Sequence, residues 1–201
     1  MKKVLIVDTK AGNLFSLRAA IEKLNFEVTI ATSPPEQLFD AIVLPGQGRF
    51  GTVIENISQA GWPAYLLNAR ESNIPMLGIC VGMQIFFEAS EEDKNIAGLG
   101  WFKGEARALD FPKKPMVGWA NIESEIWPEA CVYFVNSYAI KGASESIATT
   151  CYGETFCAAV RQGTFTGVQF HPEKSSDAGL QIIRESLSRN IDLVGETINA
   201  K

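Results

Sequence analysis

Short apolar runs alternate with segments of helical spacing through the first half of this chain, and that alternation confines the fold to an α/β design. Lys3–Asp8 is β-branched and apolar in succession, which marks a strand buried on both faces. Asn13–Leu24 places Leu14, Leu17, Ile21 and Leu24 at helical spacing. Glu27–Ala31 reads as a second strand. Ser33-Pro34-Pro35-Glu36 has a capping-box pattern with proline at the first helical position, so a short helix is expected there. Ala41–Pro45 is a third strand, halted by Gly46-Gln47-Gly48. Pro63–Ser72 predicts a helix, Met76–Ile79 a fourth strand and Val81–Ala89 another helix. The order implies a mainly parallel central sheet with right-handed crossovers and flanking helices.

The second half changes character. Gly104–Leu109, Val117–Glu123, Val132–Ala139, Ser146–Tyr152, Thr155–Arg161 and Phe165–Phe170 are β-like runs broken by Gly, Pro and Ser. They predict antiparallel strands that extend or flank the sheet. Ser175–Ser188 predicts a closing helix capped by Ser175 or Ser176. The 201 residues suit one domain, 1–201, with its core over about 4–188 and a loose tail over 191–201.

Several function classes are disfavoured at once. The net charge is −5 and no block of Lys or Arg stands out, so nucleic acid is not an expected partner. No run approaches the roughly 20 apolar residues of a membrane span. Asp8 interrupts the first apolar stretch and no small-residue cleavage site follows, so that stretch reads as a strand rather than a signal peptide. The four cysteines form no CxxC pair, and with one histidine they make neither a metal site nor a cofactor an expectation. Cys131, Cys151 and Cys157 are expected to be buried as small hydrophobes in a reducing cytosol.

Two strand ends carry the chemistry. Gly78-Ile79-Cys80-Val81-Gly82 is the thiol version of a nucleophile elbow, a sharp strand-to-helix turn that exposes its central residue. The N-terminus of the helix that follows would favour a thiolate, and the Val81 N–H would face a developing oxyanion. The chain's single histidine lies in Phe170-His171-Pro172-Glu173, at the end of another apolar run. Glu173 is spaced to turn its carboxylate back onto the imidazole, completing a nucleophile–base–acid set with Cys80. A third glycine-rich turn, Leu44-Pro45-Gly46-Gln47-Gly48-Arg49-Phe50-Gly51, lacks the residues of a phosphate loop and can supply a second oxyanion donor from Gln47–Gly48, or be an ordinary turn.

In this order the three motifs resemble those of the class I (triad) glutamine amidotransferases, whose fold is flavodoxin-like. Within that family, Gly78–Gln84, Gly46–Gly51, Tyr133–Tyr138 and His171–Ser176 are most similar to the glutaminase subunit of imidazole glycerol phosphate synthase. The resemblance runs from Val4 to about Leu187. It implies that Cys80 attacks the side-chain amide of L-glutamine, with His171 as the proton carrier and Glu173 as its orienter. A γ-glutamyl thioester would follow. It also implies an oxyanion hole at Gln47, Gly48 and Val81, and substrate contacts from Gly46, Gln84, Asn136, Ser137 and Tyr138. The implied partner is a (βα)₈-barrel cyclase subunit. That partner would use the ammonia to form imidazole glycerol phosphate and aminoimidazole carboxamide ribotide in L-histidine biosynthesis. Trp119 and Lys174 are the candidate contacts to it. The chain departs from the family pattern at Arg49, Met116 and Ala120, which keeps open a paralogue serving a different barrel synthase. A catalytically silent binding subunit is the third reading, and the intact triad argues against it.

Overall fold

The computed structural model describes residues 1–10, 12 and 14–189. Its centre is a seven-stranded sheet in the order β10-β11-β12-β4-β3-β1-β2. The strands β1 (Lys3–Val7), β2 (Glu27–Ala31), β3 (Ala41–Gly46), β4 (Met76–Cys80) and β12 (Phe165–Val168) run parallel. β10 (Ser146–Tyr152) and β11 (Glu154–Gln162) add antiparallel strands at one edge. Every residue of β3, β4 and β12 is buried, as the unbroken apolar runs require of strands covered on both faces.

The cover follows from the connections. β1 crosses to β2 through α1 (Leu14–Glu22), while β3 crosses to β4 in the opposite direction through α2 (Phe50–Gln59) and α3 (Trp62–Glu71). Right-handed crossovers in opposite directions put these helices on opposite faces. The closing helix α5 (Ser176–Ser188) packs beside α1 and over β3 and β4. The reversal opens a crevice at the carboxyl ends of the strands, where such sheets place their sites. None of these helices is long and apolar enough to cross a membrane.

Two small sheets stand against this core. One joins β5 (Phe87–Ser90), β6 (Phe102–Ala108) and β9 (Tyr138–Ile140). The other is a ribbon of β7 (Met116–Asn121) and β8 (Cys131–Asn136).

The structure corrects the sequence reading in five places. No helix forms after Ser33, where residues 33–40 are bends and irregular chain. Pro35 pushes the residue before it out of the helical region, which defeats the capping pattern. α2 was not foreseen, although Phe50, Val53 and Ile57 bury one helical face; Gly51 and four β-branched residues, Thr52, Val53, Ile54 and Ile57, weakened its signal. The helix expected over Val81–Ala89 ends after one turn, α4 (Val81–Gln84), and its second half becomes β5, paired to β6. Cys131 and Cys151 are exposed, and only Cys157 of the three is buried. Each occupies the outward position of an alternating strand. Ser175 precedes α5 without capping it by its side chain. The 191–201 segment and Asn13 lie outside the described residues.

Candidate active site

The nucleophile elbow is built from backbone packed on backbone. Cys80 sits at φ 55°, ψ −114°, between β4 and α4. A non-glycine residue there holds strain on the order of 1–3 kcal/mol. Glycine is required on both sides of it by close approach rather than by freedom. A Cβ on Gly82 would run into the Leu44 carbonyl oxygen, and one on Gly46 into the Gly82 amide. Gly46 and Cys80 are register partners between β3 and β4. Gly46 therefore lies beneath the elbow and does not line the main pocket. Because α4 is only one turn long, its dipole adds little to a thiolate; the charge partner must come from elsewhere.

That partner is His171. β12 delivers it, its N–H donates to Tyr133 O at 2.8 Å, and the following turn returns Glu173 to the ring. Glu173 Oε1 lies 2.9 Å from Nδ1, and both side chains are about 5% exposed or less. A carboxylate only accepts, so Nδ1 carries the hydrogen and Nε2 is left for the sulfur. Burial pulls the imidazole pKa down, but hydrogen bonds and charge from Cys80 and Glu173 outweigh it and hold the ring at about 9. At neutral pH the imidazole is therefore held as imidazolium beside the sulfur. Ser175 braces the turn instead of capping α5. Its hydroxyl donates to His171 O at 2.6 Å and accepts from Tyr133 N–H at 3.0 Å.

A pocket of about 350 Å³ opens over the sulfur. Its lining includes Gln47, Gly48, Cys80, Val81, Gln84, Asn136, Ser137, Tyr138, His171 and Lys174. The structure therefore brings together the expected triad residues, the expected oxyanion segments and every expected substrate contact except Gly46. Gly48 has φ +90° with open space around it, so its glycine serves the left-handed turn itself. Gln84 Nε2 donates to Tyr138 O at 3.0 Å and to Gln169 Oε1 at 2.9 Å. Asn136 Nδ2 donates to Tyr138 O at 3.1 Å, and its buried Oδ1 has no partner. Gln84 spends both amide hydrogens inward and Asn136 spends one, which turns their carbonyl oxygens the other way.

Three lining residues were not foreseen: Glu92, Pro115 and Val135. Glu92 lies in the acidic run Glu91-Glu92-Asp93, which as sequence reads like solvated surface. Its Oε2 accepts from Phe50 N–H at 2.8 Å, and Asp93 Oδ2 accepts from Gly51 N–H at 2.8 Å, so the run caps α2. Arg49 joins the same cap through Asp93 and the Glu92 carbonyl. Its guanidinium, by hydrogen bond and charge, holds the Asp93 carboxyl below the usual range. The unforeseen helix α2 is thus what carries Glu92 to the pocket rim. Trp119 stands apart from the lining. It is 53% exposed on the ribbon, beside Val117 at 59%, with its ring edge-on to Tyr133.

Comparison with known proteins adds a family. The model of glutamine amidotransferase class-I matches residues 5–189. A Carboxydothermus hydrogenoformans protein, imidazole glycerol phosphate synthase subunit HisH, is 40% identical over 191 residues, covering 90% of this chain and 96% of its own. The chloroplastic imidazole glycerol phosphate synthase hisHF of Arabidopsis thaliana is 33% identical, covering 98% of this chain but 36% of its own length. A solved glutamine amidotransferase superposes with a TM-score of 0.75 at 19% identity, over 91% of this chain and 97% of the other, which speaks to the fold alone.

Proposed function

Since the chain belongs to the class-I glutamine amidotransferases, we infer that it is the glutaminase subunit of imidazole glycerol phosphate synthase in L-histidine biosynthesis. It hydrolyses L-glutamine to glutamate and delivers the ammonia to a cyclase subunit. The observation that carries the reading is the buried Cys80–His171–Glu173 set, with the imidazole held at about 9 beneath a glutamine-sized pocket.

In this reading the Cys80 thiolate attacks the glutamine amide carbon. Negative charge gathers on the amide oxygen, opposite the Val81 N–H and the Gln47–Gly48 peptide. The imidazolium gives its Nε2 proton to the departing nitrogen, and ammonia leaves a γ-glutamyl thioester. Water then attacks; His171 takes its proton and returns the pair to thiolate and imidazolium as glutamate departs. Glu173 holds the ring and stabilises its charge throughout. Glu92, Gln84 Oε1 and Asn136 Oδ1 form an acceptor set suited to the substrate's ammonium and amide hydrogens. Gly46 acts from beneath, by keeping the elbow in place.

The cyclase partner is a (βα)₈ barrel. The Arabidopsis relative, in which this chain's match is a minor part of a longer polypeptide, fits a partner carried on the same chain. Ammonia is protonated in neutral water and loses its nucleophilicity, so it must travel between the subunits through a dry path. Lys174 at the pocket and Trp119, exposed on the ribbon apart from it, serve as docking contacts. The four cysteines are all free, which suits the cytosol.

The test is a bypass. Cys80→Ala should abolish glutamine-dependent ring formation by the assembled synthase, and ammonium salt at raised pH should restore it. Failure of ammonium to restore it rejects the ammonia-donor role.

A further inference from the structure

Three side-chain amides, two lining the pocket and one buried behind it, owe their orientation to one backbone atom. A carbonyl oxygen only accepts, so Tyr138 O fixes Gln84 and Asn136 with their amino ends inward. Gln84 Nε2 gives its second hydrogen to Gln169 Oε1 at 2.9 Å. Gln169 is thereby turned with its own amino end toward Cys80, Nε2 3.7 Å from Sγ. The residue is completely buried, and its backbone N–H donates to Ala158 O, so it has no room to swing away. Neither the triad nor the oxyanion donors use it.

We propose that Gln169 is a positioning residue that keeps an amide hydrogen on the sulfur and links the nucleophile to Gln84, the side chain that reads glutamine. The proposal rests on Cys80 being the nucleophile. The thiol form donates to Val135 O at 3.8 Å. A thiolate has no hydrogen, loses that contact and keeps the one from Gln169. The two contacts thus favour opposite protonation states, and a donor to a charged acceptor is the stronger of the two. Four other titratable groups surround the sulfur: His171 from the end of β12, Lys174 from the turn after it, Glu92 from the cap of α2, and Tyr138 on β9. Glu173 lies behind the ring. All are unaltered by a change at position 169.

The experiment measures the rate at which iodoacetamide alkylates Cys80 as a function of pH, resolved by peptide mass, in the full chain and in Gln169→Met. Methionine keeps the length and removes the donor. The thiol titration midpoint should rise by about one unit in the variant. Below that midpoint the glutaminase kcat/KM, measured with the partner present, should fall about tenfold. A mere packing role would lower the melting temperature and leave the midpoint in place, which overturns the proposal. Alkylation of the unaltered protein without preference for Cys80 overturns the triad reading and this one with it. A preference for Cys80 with an unmoved midpoint overturns this one alone. If Gln169→Met does not fold, the unaltered protein carries the test. The ¹⁵N side-chain amide signal of Gln169 should shift through the Cys80 titration and stay still in Cys80→Ala. A signal indifferent to the sulfur overturns the proposal.

Discussion

The two walls of the pocket are made by different means. On the elbow side, β3 and β4 meet α4 with backbone against backbone, and glycines at 46 and 82 leave no room for even a methyl group. On the facing side, β8 and β9 contribute Val135, Asn136 and Tyr138, and order there comes from side-chain amides converging on one carbonyl. The elbow stores strain at Cys80 in exchange for a fixed position of the proposed nucleophile. The facing wall holds little strain and keeps acceptors free for a ligand. A reacting atom must be fixed to within tenths of an ångström, whereas recognition can be distributed over several adjustable hydrogen bonds.

The sharpest way to break this contrast is at the elbow. Gly82→Ala should destabilise the fold by more than about 3 kcal/mol, because its Cβ meets a carbonyl that the sheet itself holds. Cys80→Gly should do the opposite. Relieving the positive φ should add about 1 kcal/mol of stability while glutaminase activity disappears. Denaturant melts of the two variants compare them directly; a tolerated Gly82→Ala would show that the elbow is not held by this contact.

A second prediction uses the chain's only imidazole. Its proton NMR signal should titrate near 9, and the midpoint should fall in Cys80→Ala, where the hydrogen bond and charge of the sulfur are gone. The folded value lies above the ordinary imidazole value of 6.5. The stabilising contribution is therefore complete below about 6.5 and is lost as pH rises through about 9. An unchanged midpoint in Cys80→Ala would separate the ring from the sulfur.

The oxyanion turn should respond more gently. Gly48→Ala meets no atom but must hold a left-handed φ, so it should cost about 1 kcal/mol or less in stability. Its larger effect should fall on kcat rather than KM, since an oxyanion exists only beyond the ground state. A rise in KM alone would remove this turn from transition-state binding. Gly46 is unsuited to the same test, because its substitution disturbs the elbow.

The smallest effect on the chain itself is expected at the ribbon. Trp119→Ala should change stability within about 0.5 kcal/mol, as suits a side chain 53% exposed. It should weaken assembly with the cyclase in a binding titration. Undiminished assembly would remove Trp119 from the interface.

The sequence by itself determined the parallel core and the strand ends, and it singled out Cys80, His171 and Glu173, which the fold brings together. Unbroken apolar runs require burial on both faces, Gly-x-Cys-x-Gly permits one kind of turn, and a lone histidine leaves no competing base. Strand and cysteine positions in the second half were only partly legible. Cys131 and Cys151 were expected inside, but alternation sets a strand's two faces without saying which one meets the core. Tertiary structure alone decided the rest. The second half of the helix expected after Cys80 became β5 because β6 was there to pair with it. Glu92 entered the pocket because its run caps a helix made from a distant segment. Gln169 came to face the sulfur because Tyr138 O orients Gln84. Each of these depends on hydrogen bonds between residues far apart in the chain, and local spacing carries no record of such partners.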